Sequence, residues 1–248
     1  MYTRDRTMRF FHGKSVFEFE AFVLYLHIQE YENIQYDVDI MYRLQSLLEQ
    51  YEKQDEYERI AMSVQSGLKW DYLMVGDSLV MFTQGHATVT EIVVDVLNLE
   101  IELAASGVLV SGGLGRGFVR WWDKKNLAGE GIINAGKLAR YSAPYPRIVI
   151  KEDLYTPELQ EMRLVRRTLN PSIYYLDYLY PHRQIGVEHG YLHFMMQIKK
   201  LIKKGLKKYR YQESEYIRFE LSNYLWLKKY FQRNLRYLPQ EIARELAL

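Results

Sequence analysis

Cysteine is absent from the 248 residues, which excludes disulfides, thiolate metal sites and cysteine nucleophiles and fits a reducing compartment. Charge of one sign is lacking too. The 33 Lys and Arg barely exceed the 31 Asp and Glu, and a net +2 is far from the basic excess of a dedicated nucleic-acid binder, so no nucleic-acid partner is expected. There is no long uncharged apolar run either. The most apolar region, 91–110, carries Asp95, Glu100 and Glu102, too many charges for a membrane-crossing helix of about 20 residues. The opening MYTRDRTMRFFHGK lacks the apolar stretch of a signal peptide. Together these absences predict a soluble, cytoplasmic protein with no membrane span.

What is present is a globular balance. Hydrophobic residues make up 48% and charged residues 26%, enough for one large domain or a domain with an appendage. Ala21–Ile28 (AFVLYLHI) is short, bulky and apolar and predicts a buried strand. From Asn33 to Gln50, Ile34, Val38, Met41, Leu44, Leu47 and Leu48 recur at helical spacing. Asp71–Phe82 is two apolar runs broken by Gly76-Asp77, a tight hairpin turn that puts Asp77 at the tip. A helix over Thr88–Ala105, ended by Gly107, precedes a glycine-rich strand over Val108–Trp122. A short helix at Gly131–Tyr141 and a strand at Pro146–Ile150 complete the order β-α-β-β-α-β-α-β, which predicts an α/β (α+β) domain, a mixed sheet with helices packed on it. After Tyr155 come a possible strand at Ile173–Leu179 and long charged helical stretches from about Gly190. No linker composition separates them, so residues 156–248 read as a helical C-terminal extension packed on a core of residues 1–155.

Several local features invite chemistry and have a plainer account. The cluster Gly112, Gly113, Gly115, Gly117 matches neither the dinucleotide fingerprint nor the P-loop, and glycine within a strand more often marks a close backbone contact. His189 and His193, beside Glu188, lie four apart on a predicted helix, but the order is not the zinc-protease pattern. Lys199, Lys200, Lys203, Lys204, Lys207, Lys208 and Arg210 form a basic face opposite Ile198, Leu201, Ile202 and Leu206, more often the wet side of a packed helix than an anionic docking surface.

Taken together, the segments resemble the class III nucleotidyl cyclases, most closely the compact pyrimidine (cytidylate and uridylate) cyclases of the bacterial anti-phage system called Pycsar. Gly76-Asp77-Ser78-Leu79-Val80 is similar to the family hairpin SDSIV, and Ser111-Gly112-Gly113-Leu114 to its RGGI strand. From Gly129 through Ala135 and Leu138 to Tyr145-Pro146-Arg147-Ile148-Val149-Ile150 the chain keeps the spacing of the family's GPAxxxAYxLExxxAxYPRIVI. Tyr174–Leu179 and Tyr224-Leu225-Trp226-Leu227 resemble landmarks of its tail. The resemblance implies a ferredoxin-like core, a homodimer that shares the nucleotide site, and a nucleoside triphosphate held with Mg2+ or Mn2+ by two aspartates. Two divalent cations on hard carboxylate oxygens suit attack of a ribose hydroxyl on the α-phosphate.

Asp77 matches the second metal aspartate. Against the family's FIDIxGF, Tyr25–Tyr31 places His27 at the first aspartate and Glu30 at a glycine. Imidazole is a poor magnesium ligand, and a glutamate in that turn brings negative charge where phosphate is expected. Ser111 replaces the arginine of RGGI. The resemblance therefore implies a metal site of Asp77 and His27, and nucleotide contacts from Ile28, Gln29, Glu30, Tyr31, Ser78, Ser111, Gly112 and Gly113. It leaves two readings: a degenerate cyclase with a binding or regulatory role in anti-phage defence, or a divergent active cyclase in which His27, Glu30, Asp37 or Asp39 supplies the missing ligand.

Overall fold

Along residues 21–28, Ala21, Val23, Tyr25 and His27 alternate with Phe22, Leu24, Leu26 and Ile28. Strand pleating sends the two sets to opposite faces. Phe22, Leu24, Leu26 and Ile28 enter the main core, whereas Ala21 and Val23 belong to a second, smaller core with Phe82, Val119 and Ala135. A strand buried on both faces sits in the middle of its sheet, and this one does. The computed structural model describes residues 7–11, 14–53, 68–83, 87–122, 126–180, 190–210 and 215–248.

In chain order the elements are β1 (Thr7–Phe11), β2 (Lys14–Ile28), α1 (Tyr31–Ile34), α2 (Val38–Lys53), β3 (Trp70–Val75), β4 (Ser78–Thr83), α3 (Val89–Ala105), β5 (Val110–Trp122), β6 (Asn126–Ala128), α4 (Glu130–Ser142) and β7 (Ile148–Lys151). Then follow α5 (Pro157–Glu161), β8 (Val165–Arg167), β9 (Ile173–Leu176), α6 (Tyr191–Tyr209), α7 (Glu215–Asn234) and α8 (Gln240–Leu246). The strands make one mixed sheet in the order β3-β4-β2-β5-β7-β9-β8, with β1 on β2 and β6 on β5. Within it, β2, β3, β4 and β5 form the split βαβ of a ferredoxin-like unit. The β3–β4 hairpin inserts β4 beside β2, β5 closes the other side, and every one of these pairs is antiparallel. β7 joins β5 in parallel. The expected α/β class and ferredoxin-like order are thus present, and the sheet runs on past residue 155 through β9 and β8.

Among the boundaries that differ from the sequence expectation, three have a visible cause. β2 starts at Lys14 because β1 and β5 both pair with its first residues, where Glu18 and Glu20, which look like loop residues, also ion-pair across the sheet with Arg120 and Arg116. The helix expected over Asn33–Gln50 is two, since Asp37 Oδ1 accepts from Ile40 N–H at 3.2 Å and starts α2 afresh. β9 stops at Leu176 because the next side chain, Asp177, turns into the core, where Arg166 clasps it and Tyr230 donates to it at 2.5 Å.

α3 carries a capping box. Glu91 N–H donates to Thr88 Oγ1 at 3.2 Å, and Thr88 N–H donates to Glu91 Oε2 at 2.7 Å. Gly107, at φ +86, ends it. The C-terminal helices are bound by an apolar stripe: Phe194, Met195, Ile198 and Ile202 of α6 and Leu227 and Phe231 of α7 are buried, each worth about 1.5–3 kcal/mol of transfer free energy. The lysines of α6 lie opposite that stripe, as a packed amphipathic helix requires. Arg147, at the head of β7, lies among the rings of Tyr145, Tyr175 and Trp226 at 5.2–5.6 Å and ties α7 to the sheet.

Candidate functional site at the end of the central strand

The topology brings two sequence-distant loops to one end of β2. His27 pairs with Ser78, the first residue of β4, on one side and with Ser111 of β5 on the other. Gly76 at φ +59 makes the hairpin turn, and Ile28 N–H donates to Asp77 O at 2.8 Å, pinning the tip to the strand end. Ser78 Oγ donates to Asp77 Oδ1 at 3.0 Å and lies 3.2 Å from His27 Nδ1, which is 3.8 Å from Asp77 Oδ2. The Tyr25 ring meets the imidazole edge-on at 5.2 Å. Asp77, 58% exposed, is open to water, and His27 is partly so at 31%. An open carboxylate with an imidazole beside it can take a cation or exchange a proton with a ligand.

The pair has donors that a cation could use. Asp77 offers one hard carboxylate and His27 one imidazole, a pair that suits Mn2+ better than Mg2+. Among the described residues no group of three or more His, Asp or Glu could hold a metal ion. Asp37 is engaged in starting α2, and Asp39 is exposed in that helix's first turn. Glu30 faces elsewhere.

Glu30 occupies the turn after β2 at φ 54, the left-handed region where glycine is the usual residue. Its carbonyl accepts from Asn33 N–H at 2.8 Å and Ile34 N–H at 3.1 Å. Its carboxylate accepts from Lys208 Nζ of α6 at 2.5 Å and from Tyr224 OH of α7 at 2.6 Å. Burial pushes the Glu30 carboxyl up, but the bonds from Lys208, Tyr224 and Tyr209 outweigh it and leave it below its ordinary value. Burial and the same carboxylate push the Tyr224 hydroxyl up. Tyr224 reaches this spot across Gly205, where a Cβ would lie 2.2 Å from its ring. The negative charge that the sequence placed in the turn is therefore matched from the C-terminal helices. Sequence reasoning missed Lys208 and Tyr224 as its partners; the only local hint was Gly205 amid the lysines of α6.

The other predicted residues fall into two groups. Ile28 is buried in the core, Tyr31 packs against it, and Gln29 is buried at the floor of a cleft beside Glu30. Ser111, Gly112 and Gly113 lie in β5 under neighbouring elements. A Cβ at 112 would come within 2.6 Å of Tyr25 O, and one at 113 within 2.4 Å of Leu138 Cβ, so these glycines let β5 press against β2 and α4. His193 is exposed and contacts Gln197 at 3.0 Å; His189 and Glu188 lie outside the described residues. Among the described residues no helix is long and apolar enough to cross a membrane.

Comparison with known proteins adds little to this geometry. No family model and no curated protein matches the chain. Among solved structures, a class III adenylyl cyclase-like ATP-binding protein from Pseudomonas aeruginosa aligns with a TM-score of 0.39 and 14% identity, over 65% of this chain and 40% of its own. The chain thus spans less than half the length of that protein. The fold assignment rests on the strand order and registers given above.

Proposed function

We propose that this chain is a nucleotide-binding protein of the class III cyclase type with a degenerate metal site, acting as a binding or regulatory subunit in bacterial anti-phage defence in the cytoplasm. The observation that carries the reading is the meeting of Asp77, on its hairpin tip, with His27, at the end of the central strand. The resemblance to the class III cyclases implies two aspartates at that point to hold two cations, and here an imidazole stands in place of one of them. The motifs that resemble the Pycsar cyclases support the defence role.

A second copy of the chain would seat on the part of this sheet face that α4 leaves uncovered. There Tyr25, His27 and Val80 are only half covered and Val75 of β3 is 65% exposed. This apolar row runs directly into the His27–Asp77 pair, so a partner seated on it would complete a shared nucleotide site. Sedimentation at micromolar concentration tests the dimer, and a clean monomer of 29.7 kDa removes the shared-site model.

A divergent active cyclase is the second reading, favoured by the exposure of Asp77, whose carboxylate remains accessible to a cation. The deciding experiment incubates the protein with each of the four nucleoside triphosphates and Mg2+ or Mn2+, measuring binding and cyclic product. Nucleotide binding without product is the expected result. Product above the buffer control overturns degeneracy, and no binding of any nucleotide overturns the nucleotide-binding reading.

A further inference from the structure

The cleft between the Gln29–Glu30 turn and the C-terminal helices holds more polar machinery than packing requires. Its walls include Ile34, Leu109 and Leu201, and Lys204 and Lys208 line it together with Tyr224. Glu30 adopts a left-handed backbone without capping α1 by its side chain. Its carboxylate, only 12% exposed, points at Lys208 and Tyr224 instead. Lys204 makes no ion pair among the described residues. Gln29 is 8% exposed, and its buried Oε1 has no donor. Buried acceptors are almost always satisfied, so a residue of this cleft retains an acceptor that a ligand's donor could serve.

We propose that Lys208 Nζ and Tyr224 OH form an anion slot whose resident is the chain's own Glu30 carboxylate. A phosphate-tailed ligand takes the slot when Glu30 swings out, and a P–OH of that ligand donates a hydrogen bond to Gln29 Oε1. The charge balance favours this ligand class. One carboxylate neutralises one lysine, whereas a diphosphate tail carries enough charge for both Lys208 and Lys204 and accepts several hydrogen bonds at once. The inference deepens the nucleotide-binding reading: the phosphate donors come from the C-terminal helices, and Glu30 acts as an internal competitor. It needs no metal and no contribution from Asp77 or His27.

The test is calorimetric titration with inorganic pyrophosphate in EDTA. At neutral pH pyrophosphate retains a P–OH group that can serve Gln29. Wild type should bind weakly, and Glu30→Gly should bind at least about tenfold tighter, a gain of roughly 1.4 kcal/mol. Glu30→Gln keeps the size of the side chain and removes its charge, so it should shift affinity in the same direction and serves if the glycine variant folds poorly. Adding Lys208→Met to either variant should cancel the gain. The proposal is overturned if neither Glu30 variant binds more tightly than wild type, or if the gain survives Lys208→Met. Absence of metal-dependent nucleotide binding with this gain intact would sink only the reading under Proposed function; the reverse pattern would sink only the anion slot.

Discussion

Gly205→Ala is the sharpest test of the packing around Glu30, because two physical effects predict opposite signs. In a helix interior, alanine is better than glycine by about 1 kcal/mol, so propensity alone predicts a more stable protein. At this position the new Cβ would lie 2.2 Å from Tyr224 Cε1 and 2.3 Å from its Cζ. The ring cannot yield cheaply, since its hydroxyl is fixed on Glu30 at 2.6 Å. Overpacking costs about 1–3 kcal/mol, and losing a hydrogen bond to a charged group about 1.5–3 kcal/mol. After subtracting the propensity gain the net loss is about 1.5–5 kcal/mol. At roughly 2–4 °C per kcal/mol for a chain of this size, the midpoint should fall by several degrees or more in a thermal melt followed by far-UV circular dichroism. In a Tyr224→Ala background the ring is gone, and Gly205→Ala should become stabilising by about 1 kcal/mol. A wild-type-like or raised midpoint for the single variant would refute the close-approach reasoning.

The folded-state carboxyl of Glu30 is depressed, so its contribution is fully present above the unfolded value of about 4.5 and is lost as pH falls through the folded one; urea midpoints of Glu30→Gln should lack this acid loss. Glu100 has the opposite sign. Burial raises it well above 4.5, so wild type loses stability as pH rises from about that value, and the advantage of Glu100→Gln in urea midpoint should widen upward from there. Trp70→Phe removes the buried bond from Trp70 Nε1 to Asp95 at 2.9 Å as well as ring volume, and chemical denaturation should show a loss of about 2–4 kcal/mol. The pair His27→Asp with Glu30→Gly should tighten metal-dependent nucleotide binding beyond the wild-type level and far beyond the sum of the singles, since groups acting as one unit are not additive; no gain in binding or product counts against the cyclase-site assignment.

Much of the core was legible because period and punctuation agree there. The apolar run of β2, the Gly76-Asp77 break and the Thr88-x-x-Glu91 start of α3 each state their element locally, and the alternation of strands and helices leaves few sheet orders. Juxtaposition of His27 with Asp77 follows once the hairpin is placed beside β2. What stayed hidden was non-local. The charged beginning of β2 is held by arginines a hundred residues later, β8 is short and arginine-rich because Arg166 serves Asp177, and Glu30 finds its partners 178 and 194 residues away. No pattern within a window of ten or twenty residues encodes such pairings.

That separation also orders events in time. At a synthesis rate of about 5–20 residues per second, the 194 residues between Glu30 and Tyr224 take roughly 10–40 s to emerge. Within that interval β2, β3, β4 and β5 can already pair, with the turn after β2 bearing a carboxylate that neither Lys208 nor Tyr224 has yet reached. During synthesis, closure of the turn by Lys208 and Tyr224 cannot precede the emergence of α6 and α7. Until then the carboxylate of this turn waits for partners that only the late-made helices α6 and α7 supply.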